Sequence, residues 1–395
     1  MKIACMQAQN RNKPQSMKIL IAPDSFKGSL SAAEASQIIK NALLRHLPHA
    51  DIRTLPLADG GEGSIDVLAH SLPLSKHLLQ VQGPLGKEVL SYYYMDEKAQ
   101  TAYIEMAKAS GITLVSKGQL NPMEATTLGT GELVVDALKC GARKIVLFIG
   151  GSATNDAGTG MAHALGYRFL DYKGDSLYPN GKNLGQIRAV STELVNPLIN
   201  KTEFVVATDV NNPFYGPEGA AAVYAPQKGA DNGQVGALDA GLKSFAVVIQ
   251  QSLGIDLQAI PGSGAAGGLG GGAVAFLDAH LESGAPLIFD IAGFDNALRE
   301  ADLVISGEGK TDKQSLYEKL LSHVARRAQN QDVPLWLICG FLEGQPSDYQ
   351  SLGIDQVFRL AQSPADIQQA INHAAQHLTA QAEHAAQRIL AHWKN

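Results

Sequence analysis

Apolar residues fall along the chain in short β-rich runs, each ending in a polar, glycine-containing loop that leads into a helical pattern. KILIAP passes into DSFKGS and then into a helix from about Ser31, where Ser31 and Glu34 have the spacing of a capping box. Ile38, Ile39, Ala42, Leu43 and Leu47 continue it as one apolar stripe. IRTLPLA passes into DGGEGS and IDVLAHSL, KIVLFIG into GSATNDAGTG and MAHALGY, EFVVAT into DVNNPFYG, and DLVIS into GEGKTDKQ and LYEKLLSHVARRA. PLWLICG and DQVFRLA are expected as late strands. This alternation predicts an α/β architecture with largely parallel sheets. Residues 74–116 break it: LSYYYMDEKAQTAYIEMA has the pattern of an antiparallel hairpin turning at DEKAQ, and predicts a second domain of mixed strands inserted into the first.

Composition narrows the class. The 395 residues suffice for two or three domains with their own cores, and 45% hydrophobic against 18% charged content marks a folded globular chain. With 38 acidic against 32 basic residues, nucleic acid is disfavoured as the main partner. No apolar run is long enough to span a bilayer, so no membrane partner is expected. The opening MKIACMQAQNRNKPQS lacks the apolar segment of a secretory signal and is read as a disordered leader over residues 1–16, with the fold starting at Met17. Cys5, Cys140 and Cys339 are odd in number and widely spaced, which argues against a disulfide framework or a zinc site and for a reduced, cytoplasmic protein.

In parallel α/β sheets ligands bind outside the carboxyl ends of the strands. The loops after the predicted strands are where Asp24, Ser25, Lys27, Asp59, Glu62, Asn155, Asp156, Asp209, Glu308 and Asp312 fall. The glycine-rich segments need separate weighing. PGSGAAGGLGGGA contains G-x-G-x-x-G at Gly262, Gly264 and Gly267, but Pro261 precedes it and more glycines delay the helix, which excludes a Rossmann dinucleotide site. An anion-cradling loop and a tightly packed helix entry both stay open for it. GEGKT is not the end of a P-loop, because the position that must be glycine is Val304. GGSATNDAGTG suits a nucleotide-phosphate or substrate loop better than a turn, which seldom needs so many residues. His373 and His377 have metal-binding spacing, yet belong to a polar helix and read as a solvated face.

The blocks APDSFKGSLSA, PLADGGEGS, GTGEL, IGGSATNDAGTGM, TDVNNPFYGPEGAA, PGSGAAGGLG and GEGKTDKQSLYEK, in this order from Met17 to beyond residue 340, resemble the bacterial type I glycerate kinase family. The resemblance implies phosphorylation of D-glycerate by ATP with Mg²⁺, and 2-phosphoglycerate as product. It also implies a flavodoxin-like domain formed by residues 17–75 and 290–395, an α/β domain inserted at 76–289, and a cleft site between them. Glu318, where the family usually has Gly, and the CGFLEG segment depart from the pattern.

Phosphoryl transfer depends on positioning and charge stabilisation, so cations, metal-binding carboxylates and a base are sought among the loops. Lys27, Asp209 and Asp312 are the catalytic candidates, and Asp24, Ser25, Lys27, Asp59 and Glu308 the substrate-binding ones. Gly150, Gly151, Ser152, Thr154, Asn155, Asp156, Gly264, Gly267 and Gly268 are assigned to the nucleotide. Asp59, Glu62 and Asp209 are assigned to the metal, with the division between base and metal ligand open. D-Glycerate and ATP are the expected partners, and a homodimer is left open. The alternative is a non-catalytic binding protein for an acidic or phosphorylated metabolite; the surplus of carboxylates in the loops counts against it.

Overall fold

The computed structural model describes residues 16–311 and 320–392. The described residues begin with β1 (Lys18–Ile21), α1 (Ala32–His46) and β2 (Asp51–Thr54). There follow α2 (Ser64–Ser71), β3 (Ser75–Gln82), β4 (Glu88–Asp96), β5 (Thr101–Glu105), α3 (Ala107–Ser110), α4 (Leu128–Lys139), β6 (Lys144–Phe148) and α5 (Thr159–Ala164). Then come β7 (Arg168–Leu170), β8 (Ala189–Ser191), β9 (Glu203–Ala207), α6 (Ala220–Tyr224), α7 (Asn232–Leu253), α8 (Ala265–Leu277) and β10 (His280–Glu282). The chain continues with α9 (Gly284–Ala292), α10 (Phe294–Arg299), β11 (Leu303–Thr311), α11 (Leu320–Asn330), β12 (Leu335–Leu342), β13 (Ile354–Arg359), α12 (Ile367–Asn372) and α13 (Ala374–His392).

These elements form two compact units. The first joins the segment up to Leu57 to the segment from Phe289. Its five strands are all parallel, in the order β2-β1-β11-β12-β13. Counted within the unit this is 2-1-3-4-5, the flavodoxin-like order, whose direction of winding reverses between its first and third strands. Ile19, Ile21 and Ile305 from the strands pack with Ile39 and Leu43 of α1 and Leu378 of α13. The helix start read from sequence is present: Ser31 Oγ accepts from the Glu34 amide, and the Glu34 carboxylate accepts from that of Ser31.

The second unit spans Ala58–Ile288. Its sheet has the order β10-β9-β6-β5-β4-β3, with β10, β9, β6 and β5 parallel and the hairpin strands β4 and β3 antiparallel at one edge. The change of unit at Leu57–Ala58 comes earlier than the expected 75–76, because α2 packs on β4 and β5. A wholly buried carboxylate fixes the loop after β6. Asp156 Oδ2 accepts from the Thr127 amide at 2.7 Å, the Thr127 hydroxyl at 2.8 Å and the Gly160 amide at 3.2 Å, and Oδ1 accepts from Gly158 at 3.3 Å. The loop is thereby tied to the starts of both α4 and α5. Burial raises the pKa of Asp156, and the donors from Thr127, Gly160 and Gly158 oppose that rise.

Replacing Asp156 by Ala strands these buried donors, each worth roughly 1–3 kcal/mol when left unmet. Urea denaturation of Asp156→Ala is expected to show a loss of at least about 3 kcal/mol. A loss under about 1 kcal/mol would show that the carboxylate does not hold the loop.

Candidate active site

At the carboxyl ends of the adjacent parallel strands β6 and β9, the second unit encloses a cavity of about 420 Å³, within the range of small-molecule sites. Ile149 to Ser152 after β6 and Ala207 to Val210 at the end of β9 line it, together with Asp59 to Gly61, Lys228, Ala265 and Ala266. Glycines let these walls meet. A Cβ on Gly150 would lie 2.8 Å from Gly61 Cα. Gly60 has φ +92°, and its Cβ would lie 2.8 Å from Gly284 Cα. The Gly284 amide and the Ser283 hydroxyl each donate to Asp209 Oδ1 at 2.7 Å. The Asp59 loop and the Asp209 carboxylate are thus both seated on the turn at Gly284.

Lys228 is the residue that sequence reasoning missed. It ends a single 3₁₀ turn, Pro226–Lys228, and Gly229 with φ +95° turns the chain away behind it. The side chain is 1% exposed and lines the cavity. Its Nζ donates to Ser152 Oγ and to the Thr154 carbonyl, both at 2.7 Å. An ammonium has three donors, so these two bonds leave one for the cavity side. Burial lowers the Lys228 pKa to about 7, with the charge of Asp156 acting the other way. No local pattern marks it, because its partners Ser152 and Thr154 lie more than seventy residues earlier.

The loop assigned to the nucleotide divides by role. Gly150, Gly151 and Ser152 line the cavity. Thr154 and Asn155 are fully buried, and Thr154 Oγ1, both polar side-chain atoms of Asn155 and Ser263 Oγ have no hydrogen-bond partner among the described residues. Buried polar atoms without partners point to a bound water or ligand that supplies them. Asp156 is instead spent on α4 and α5. Gly264, Gly267 and Gly268 are buried against protein: a Cβ on Gly267 would sit 2.1 Å from the Thr154 carbonyl, and one on Gly264 2.1 Å from that of Pro213. Ala266, Gly267 and Gly268 all have positive φ, so α8 opens with a left-handed kink that presents Ala265 and Ala266 to the cavity.

A second buried ionisable group underlies the Asp59 loop. Glu105, at the end of β5, is fully buried and accepts from the Gly63 amide at 3.0 Å through both oxygens. Burial raises its pKa to about 7 against the pull of Lys108 and of the Gly63 amide. Glu62 is exposed and does not line the cavity.

In the first unit, Asp24, Ser25 and Lys27 follow β1, and Glu308 lies in β11, the neighbouring strand across the point where the winding reverses. The Asp24 amide donates to the Gly307 carbonyl at 2.8 Å, and the Ser25 amide to Asp24 Oδ1 at 2.6 Å. Thr311 Oγ1 donates to Glu308 Oε1 at 2.7 Å, and Lys27 is exposed. Asp312, with Glu318 and Lys319, lies outside the described residues.

Fold and site together define an α/β protein with a small-molecule cavity at strand ends, lined by Asp59, Asp209 and Lys228. The chain belongs to the glycerate kinase family, whose sequence profile matches residues 19–390. It is 43% identical over 343 residues to a glycerate kinase of Halalkalibacterium halodurans, covering 87% of this chain and 90% of that one. It is 38% identical over 358 residues to the glycerate 2-kinase of Escherichia coli K12, covering 91% and 94%. A crystal structure from Salmonella typhimurium LT2, assigned as glycerate kinase 2, superposes with a TM-score of 0.86 at 37% identity, covering 96% of this chain and all of that one.

The lowered pKa of Lys228 has a definite sign in stability. Below about pH 7 native and unfolded chains both carry the proton, and the full burial penalty is present. Between about 7 and the ordinary lysine value of 10.5 only the unfolded chain keeps it, so stability rises with pH. Relative to Lys228→Met, the wild type is expected to gain up to about 1.4 kcal/mol per pH unit between pH 7 and 9, measured by urea denaturation. Parallel pH profiles would mean that Lys228 is not buried as described.

Proposed function

We propose that the protein phosphorylates D-glycerate with ATP, giving 2-phosphoglycerate. The observation that carries this reading is one cavity lined by the carboxylates of Asp59 and Asp209 and by the buried ammonium of Lys228. A receptor for an anion gains nothing from two acids in its cavity unless a cation accompanies the ligand. The names of the relatives support glycerate as the substrate, and the name glycerate 2-kinase of the Escherichia coli protein supports the 2-position as the proposed site of transfer.

The donor set fits Mg²⁺, a hard cation that takes one or two carboxylates and completes its shell with phosphate and water. Asp59 would hold it, with phosphate and water completing its shell, and when bound it would neutralise charge on the nucleotide phosphates, which leaves Asp209 for the proton. The chain's own groups do the rest. Ser283 and Gly284 fix the Asp209 carboxylate, which is proposed to take the proton of the attacking hydroxyl. Lys228, with Gly150, Gly151 and Ser152, faces the anionic groups, where a preorganised cation stabilises developing charge without reorganisation. Lys27, Asp24, Ser25 and Glu308 are proposed as substrate-binding groups of the first unit, on their place at the winding reversal. No helix of the described residues is long and apolar enough to cross a membrane; a cytoplasmic location, where ATP is supplied, is the matching proposal.

Purified protein given ATP, Mg²⁺ and D-glycerate is expected to release ADP, with the product resonance in phosphorus NMR at the 2-phosphate. No ADP above background would end this reading, and 3-phosphoglycerate would correct the regiochemistry. Asp209→Asn keeps the shape and removes the charge, so turnover is expected to fall at least ~10²-fold. Lys27→Ala is expected to lower kcat/KM; an unchanged value would return Lys27 to bulk solvent.

A further inference from the structure

The hairpin edge of the second unit carries a cluster that does not touch the cavity. His77 lies on the edge strand β3, Asp136 in the last turn of α4, and Cys140 at that helix's end, four residues after Asp136 and 63 after His77. One ligand atom from each, His77 Nδ1, an Asp136 oxygen and Cys140 Sγ, lies within 4.8 Å of the other two. Sγ is 3.9 Å from both His77 Nδ1 and Asp136 Oδ2.

The surroundings hold these atoms as a metal site requires. His77 Nε2 lies 3.0 Å from Glu97 Oε1, which also accepts from Ser75 Oγ at 2.7 Å. A proton on Nε2 given to Glu97 leaves the Nδ1 lone pair facing Cys140. This is the carboxylate–histidine arrangement that orients imidazole ligands. The imidazole stacks on Tyr93, with centroids 4.8 Å apart and planes at 13°, and the Tyr93 hydroxyl donates to Asp136 Oδ2 at 2.9 Å. Cys140 also ends α4, where the carbonyl end of the helix dipole favours a cation.

We propose that His77, Asp136 and Cys140 bind a divalent transition-metal ion, with zinc the best match. An imidazole nitrogen, a thiolate and one carboxylate oxygen form a borderline donor set that suits zinc, whereas magnesium and calcium take all-oxygen shells. At ordinary Zn–S and Zn–N lengths, tetrahedral ligand atoms stand roughly 3.5 Å apart; the two sulfur spacings of 3.9 Å close with a shift of a few tenths of an ångström, and the nitrogen–carboxylate pair, within 4.8 Å, with a side-chain shift of up to about 1.3 Å. On binding, the Cys140 thiol gives its proton to solvent and its sulfur bonds the metal; water takes the fourth position. Cys140 is exposed, which gives the ion a way in. The bound ion ties β3 to α4 and so braces a sheet edge that has no strand beyond it among the described residues. Cysteine spacing alone argued against zinc, because it cannot see ligands drawn from two separate elements.

Cobalt titration of the full-length, chelator-treated protein tests this directly. One equivalent of Co²⁺ is expected to produce a thiolate-to-cobalt charge-transfer band that Zn²⁺ abolishes. Cys140→Ser and His77→Ala should lose the band, and Glu97→Gln should weaken Zn²⁺ binding ~10–100-fold. Absence of the band in the wild type, or its survival in Cys140→Ser, would overturn the proposal.

Discussion

An ammonium group taken out of water has to be compensated by fixed dipoles, and in this protein that requirement organises the cavity. Desolvation of Lys228 costs several kcal/mol, more than two hydrogen bonds return at ~1 kcal/mol each, so its proton is held only weakly near neutrality. The two bonds to Ser152 and the Thr154 carbonyl can exist only if the loop after β6 is fixed. That loop is fixed from three directions: Asp156 ties it to α4 and α5, Gly267 packs against Thr154, and Gly150 against Gly61. A Cβ at Gly267 would displace the same carbonyl that Lys228 bonds, so the glycine-rich segment serves the lysine through the backbone.

The Asp59 loop shows the same logic with the charge reversed. Glu105 is buried beneath the Asp59 loop, and its desolvation outweighs the attraction of Lys108. Its two-oxygen grip on the Gly63 amide sets where α2 begins and where the preceding Asp59 stands. Asp209, by contrast, is exposed and held by Ser283 and Gly284. The cavity thus sets a weakly held proton, on Lys228, among the carboxylates of Asp59 and Asp209.

Much of this was legible in the sequence, for reasons particular residues make plain. Strand-end placement located Asp209 and Gly150–Ser152, because the parallel strands β6 and β9 send their loops to one edge whatever the side chains are; Asp59 follows a strand of the other sheet and joins them through the close approaches of Gly60 to Gly284 and of Gly61 to Gly150. The capping box at Ser31 and Glu34 marked the start of α1, since it depends on local spacing alone. Lys228 was not legible: its meaning comes from Ser152 and Thr154, more than seventy residues earlier, and a single lysine in a loop ordinarily faces solvent. Nor could spacing tell that Gly264, Gly267 and Gly268 face protein backbone, because a glycine admits close approach by a ligand or by another chain segment equally well. The division within GGSATNDAG, between cavity-lining residues and the Asp156 brace, also required the tertiary contacts.

If Lys228 is a cation completed by its ligand, proton uptake on binding measures it most directly. Above pH 7 the side chain is mostly neutral, and an anion placed against Nζ should restore its proton. Calorimetric titrations at pH 8 in buffers of different ionisation enthalpy, with MgATP and with D-glycerate separately, count the protons taken up on binding. The account predicts uptake approaching one proton for at least one of the two ligands in the wild type, fading below pH 6 and absent in Lys228→Met. Equal uptake in wild type and variant for both ligands would contradict it.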